Sequence, residues 1–79
     1  MTIHEIYEEY MRQRKEGPVR YNELAEKIMQ AIKKEFGFSD NQVNFIYGMV
    51  YDSHHAYFED VIFQSESMAR KFQQWDKIK

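Results

Sequence analysis

The chain has 79 residues, a formal net charge of −2 and no cysteine. A chain of this size buries only about 60 to 65 percent of its unfolded surface on folding, which allows a single domain with a marginal core. Without cysteine there can be neither a disulfide frame nor a thiolate metal site, and a reducing cytosol is the expected setting.

Thr2 and Glu5 have the spacing of a capping box, in which the hydroxyl accepts from the third helical amide and the carboxylate reaches back to the cap amide. A helix should therefore begin at Ile3. Ile3, Ile6, Tyr7, Tyr10 and Met11 recur at helical spacing and form its apolar stripe. Gly17-Pro18 should end it, because proline disfavours helix in the preceding residue and has no amide proton to donate.

Asn22 is the expected cap of a second helix reaching Phe36, with Leu24, Ala25, Ile28, Ile32 and Phe36 three and four apart. Gly37 should stop it by taking a left-handed conformation. Ser39 and Gln42 repeat the capping-box spacing, and Phe38 and Val43 stand where a hydrophobic staple would join them. These signals predict a third helix from Asp40 with Val43, Ile46, Tyr47 and Val50 inward and Phe45 and Met49 widening the stripe. Asp52 to His55 should end or kink it. A fourth helical pattern follows in Phe58, Val61, Ile62, Met68, Phe72 and Trp75, interrupted near Gln64-Ser65, as one bent helix or two.

The alternative for residues 43 to 63 is a β-hairpin, since Val43, Phe45, Tyr47, Met49 and Tyr51 also alternate with strand periodicity. The capping box favours helix. The expected fold is all-α, a bundle of three or four helices in one domain covering residues 1 to 79, with α+β as the alternative.

The longest apolar runs fall far short of the roughly 20 residues that cross a bilayer, and the first five residues lack the basic start of a signal peptide. A soluble, cytoplasmic protein with no membrane partner is expected. Charge is unevenly spread. No Lys or Arg lies between Lys34 and Arg70, whereas Glu35, Asp40, Asp52, Glu59, Asp60 and Glu66 do. A polyanion would have to dock on Arg12, Arg14, Lys15 and Arg20 or on Arg70, Lys71, Lys77 and Lys79.

Few residues invite catalytic chemistry. His54 and His55, near Asp52, Glu59 and Asp60, suggest a metal or acid–base site, but adjacent side chains diverge and zinc needs three or four converging ligands. No serine occupies a glycine-flanked turn of the kind that activates a nucleophile. Gly17, Gly37 and Gly48 are isolated, so no phosphate-cradling loop is present. So short a chain also leaves little room for a substrate pocket. No enzymatic activity, cofactor or metal is expected.

Ile32 to Ser39, followed by Val43 and Ile46, resembles the helix-turn-helix pattern of DNA-binding proteins, with Gly37 at the turn and Ser39 capping the recognition helix. The resemblance implies that Asp40, Asn41, Asn44 and Gly48 face the major groove, with Asn41 and Asn44 able to read adenine. A recognition helix without Lys or Arg lacks the phosphate contacts that supply much of the affinity. Gln42, Ile46-Tyr47, Tyr51-Asp52, His55, Asp60-Val61 and Phe72 also resemble a pattern in small uncharacterised helical proteins encoded by phages and prophages, which implies a helical fold and a phage-like origin.

Six Phe, six Tyr, five Met and one Trp exceed what the helical stripes use. Such residues are enriched at protein interfaces and supply most anchors. The expected function is a non-enzymatic protein–protein interaction module, a small regulatory or accessory protein whose partner is a protein and most simply a second copy of itself. Tyr51, Tyr57, Phe63 and Trp75 are the expected interface residues. A helix-turn-helix DNA-binding regulator is the alternative.

Overall fold

The computed structural model describes residues 1 to 78. It contains α1 (Ile3–Glu16), α2 (Tyr21–Phe36), α3 (Asp40–His54) and α4 (Phe58–Ile78), and no strand among the described residues. The protein is a small all-α bundle. The candidate hairpin is instead two helical segments joined by a short turn, in which the Tyr57 amide donates to the His54 carbonyl at 3.2 Å.

Local chemistry explains most helix ends. At α1 the Glu5 amide donates to Thr2 Oγ1 at 3.2 Å, and the Thr2 amide donates to Glu5 Oε1 at 2.9 Å. Ser39 and Gln42 do the same at α3, at 3.3 and 2.8 Å. Gly37 closes α2 with φ 72°, where a side chain would be strained, and its amide donates to the Lys33 carbonyl.

The start of α2 differs from expectation. Its cap is Arg20, not Asn22, and no side chain caps it. The cause lies seven residues away, in α1. Gln13 is only 3 % exposed, accepts from the Arg20 amide on Oε1 at 2.9 Å and donates from Nε2 to Glu9 at 3.1 Å. With its amide held there, Arg20 has its carbonyl free to accept from Leu24 and open the helix two residues early.

The expected interruption of α4 is absent, and 21 residues run as one helix. Ser65 is fully buried, and its hydroxyl donates to the Val61 carbonyl at 2.6 Å. A small side chain that satisfies itself on its own helix can enter the core without breaking it. Phe45 also departs from expectation: it does not widen the buried stripe of α3 but is 58 % exposed, because two residues from Val43 it has turned about 200° around the helix.

The core consists of Ile6, Leu24, Ile28, Ile32, Ile46, Val50, Val61 and Ile62, each at or near zero exposure, with Phe38, Phe58 and Ala69. α4 packs against all three other helices, and α2 packs against α1, α3 and α4. The α2–α4 pair thus keeps α1 and α3 apart.

Replacing Gln13 tests the tie between α1 and α2. Gln13→Ala is expected to lower unfolding free energy in urea by about 1 to 3 kcal/mol, because the Arg20 amide loses its acceptor. Gln30→Ala, at an exposed glutamine, should change it by less than about 0.5 kcal/mol.

Candidate functional site: an aromatic cleft and two aromatic patches

α1 and α2 meet where one ends and the other begins, and α3 and α4 do the same. These two junctions lie together because consecutive helices run back along one another. With α1 and α3 held apart there, a cleft of about 670 Å³ opens between them. So short a chain was expected to leave little room for a substrate pocket, and the space it leaves here is an open cleft.

Two aromatic walls face the space. On α3, Tyr47, Tyr51 and His55 follow one another four residues apart, with ring centroids 6.1 Å and then 5.8 Å from their neighbours. Opposite, Phe58 of α4 packs against Tyr10 of α1 at 5.3 Å and edge-on against Tyr21 of α2 at 5.1 Å. Tyr57, 66 % exposed, stands at the turn before α4. Ala25 and Ala56 line the remainder with short side chains that leave the volume open, together with Asn22, Arg14 and Glu59.

The charges are sparse. Among the described residues Arg14 makes no salt bridge, and its guanidinium carbon lies 5.8 Å from the Tyr10 ring centroid, within cation–π range. Nor does Glu59 among the described residues. Burial pushes the Tyr10 phenol above its usual range, the Glu59 charge adds to this, and Arg14 opposes it. Burial, followed by the neighbouring Tyr51, pushes Tyr47 up to about 12. His55 Nδ1 is 3.2 Å from the Tyr51 carbonyl. Among the described residues no group of three His, Cys, Asp or Glu side chains is placed to hold a metal ion.

Tyr51, Tyr57, Phe63 and Trp75 are all exposed, but they do not form one surface. Tyr51 and Tyr57 line the cleft. Phe63 packs on Tyr7 of α1 at 5.0 Å. Trp75, about 18 Å further along α4, packs on Phe72 at 5.9 Å. Phe72 also meets Phe38 at 5.5 Å and the exposed Phe45 at 6.5 Å, giving a second patch on α3 and α4. Sequence reasoning missed Tyr21 and Phe45, both more than half exposed. For Phe45 the signal was present, since it lies off the Val43, Ile46 and Val50 stripe.

The helix-turn-helix candidate has the expected turn, and Asn41, Asn44 and Gly48 are exposed. Asp40 is held by Lys33, with Nζ 2.7 Å from Oδ1. Arg12 pairs with Glu9 and Glu16, and Arg20 with Glu23, so two of the four cations in the first group expected to meet a polyanion are already paired, as is Arg70 with Glu66 in the second. No helix among the described residues is long and apolar enough to cross a membrane. No family model, curated protein or solved structure was found to match the chain.

The shifted phenol gives a direct check. Tyr47 should ionise last of the tyrosines, near pH 12 in a spectrophotometric titration, and Tyr47→Phe should remove that final step. Its folded pKa is raised, so its contribution to stability is complete below the unfolded value of about 10 and is lost as pH rises through about 12. Alkaline unfolding in that window should be weaker in Tyr47→Phe.

Proposed function

We propose that this protein is a non-enzymatic protein–protein interaction module, a small regulatory or accessory protein that also associates with itself. The observation that carries this reading is the placement of its surplus aromatics. Tyr21, Phe45, Tyr51, Tyr57, Phe63 and Trp75 are each 45 % or more exposed on a chain of 79 residues. Large aromatic side chains offer much apolar area for little conformational entropy, which suits them to anchor an interface. A phage-like origin accords with a compact accessory protein and rests on the sequence resemblance.

The patch of Phe45, Phe72 and Trp75 is the surface assigned to a second copy. A two-fold contact would cover the patch on both protomers with one self-complementary surface, and it would remove exposed apolar area that favours aggregation. The dimer is cytoplasmic on this reading.

A DNA-binding role is the second reading, favoured by the order α2, Gly37, Ser39, α3. The Lys33–Asp40 pair and the engaged Arg12 and Arg20 weigh against it, since phosphate binding would have to break existing ion pairs.

Sedimentation at micromolar concentration should show a dimer. Trp75→Ala should weaken it by about tenfold or more, as removal of an interface anchor does, and Tyr57→Ala in the cleft should leave it unchanged. A clean monomer removes self-association. Sequence-selective duplex binding at physiological salt, lost in Asn41→Ala, would promote the DNA-binding reading instead.

A further inference from the structure

We infer that the tyrosine-lined cleft receives the cationic side chain of an Arg or Lys on a partner protein. The inference rests on the reading of the chain as a protein-binding module and adds the chemistry of the partner.

Three observations carry it. The first is the wall material: five tyrosines and one phenylalanine line the cleft. Tyrosine faces are electron-rich, and a guanidinium or ammonium group within about 6 Å of such a face is attracted by the ring quadrupole. The second is Arg14. Its guanidinium already lies 5.8 Å from the Tyr10 centroid, so one wall of the cleft holds a cation of the chain's own. The opposite wall, formed by Tyr47, Tyr51 and His55, holds none. The third is the local charge. Glu59 lines the cleft and makes no ion pair among the described residues, and the segment from residues 35 to 69, which supplies the α3 wall and the start of α4, contains no Lys or Arg.

An anion is the competing occupant, because phenol hydroxyls and Arg14 could donate to it. Glu59 opposes an anion in the same space. The two occupants predict opposite signs for one substitution. Arg14 repels an incoming cation and attracts an anion, so Arg14→Gln should tighten binding of the first and weaken that of the second.

The capped amino acids N-acetyl-arginine amide and N-acetyl-lysine amide are suitable probes, with benzoate as the anion and tetramethylammonium as a free organic cation. In amide NMR spectra of the whole chain, the basic probes should give saturable shifts at Tyr21, Tyr47, Tyr51, Tyr57 and Glu59 and leave the Trp75 indole still. Glu59→Gln and Tyr51→Leu should each weaken binding about threefold to tenfold, the effect of one partly exposed ion-pair or cation–π contact. Tyr51 is exposed and Glu59 half-buried, and unchanged circular dichroism will establish that the variants fold.

Absence of saturable shifts with the basic probes overturns the inference, as does stronger binding of benzoate that falls in Arg14→Gln. Tighter binding of tetramethylammonium than of either capped amino acid overturns the assignment to a protein side chain. Sedimentation of the same samples separates the two readings. A dimer that ignores the basic probes sinks the cleft and leaves the interaction module standing, whereas a monomer that binds them loses self-association and retains the cleft.

Discussion

The structure depends on α4 remaining unbroken through its middle. Like α2, α4 packs against each of the other three helices, and its buried face carries Phe58, Val61, Ile62 and Ala69. Ser65 is the vulnerable point in that face. A hydroxyl without a partner at zero exposure would cost about 1 to 3 kcal/mol, a large share of what a domain this small can hold. Donation to the Val61 carbonyl removes that cost within a single helical turn. Continuity follows, and one helix of about 31 Å takes the place of two shorter ones that would each need a cap.

The aromatic surfaces are a by-product of the same arrangement. Because α2 and α4 touch, α1 and α3 cannot close on each other, and the gap between them is filled with rings only along its edges. In a larger domain a further helix would cover that space. Here the walls are stabilised by contacts between neighbouring rings, so the tyrosines stay ordered at the rim of an open volume. The Phe38, Phe72 and Trp75 chain at the α3–α4 seam is built similarly, passing from a buried ring to an exposed one through a half-buried one.

What could be read in the sequence was whatever is decided within one helical turn. Thr2, Gly37 and Ser39 each act on residues at most four away, and each helix end they specify lies where the spacing predicts. Asn22 failed as a cap because the competing signal, Gln13, acts across a loop and looks like an ordinary surface glutamine in sequence. The pattern near Gln64-Ser65 left one bent helix or two open because hydropathy does not record whether a hydroxyl finds its own helix carbonyl. The exposed state of Tyr51, Tyr57, Phe63 and Trp75 followed from counting rings against stripe positions. Their division among a cleft and two patches did not, since that depends on which helices touch, and Tyr21 reaches the cleft only through that geometry.

The Gln13–Arg20 bond also governs how the chain could change over evolutionary time. Its two ends are seven residues apart, and one side chain reaches across the loop between them to the amide that opens α2. Adding or deleting a residue there would move Arg20 out of reach and rotate every later position of α2 by about 100°, turning Leu24, Ile28 and Ile32 away from the core. Among the described residues the turn between α3 and α4 bears no such side-chain hydrogen bond to another helix. Length variation among descendants of this sequence would therefore gather at residues 55 to 57, beside the cleft, where it would reshape what the cleft admits while leaving the bundle whole.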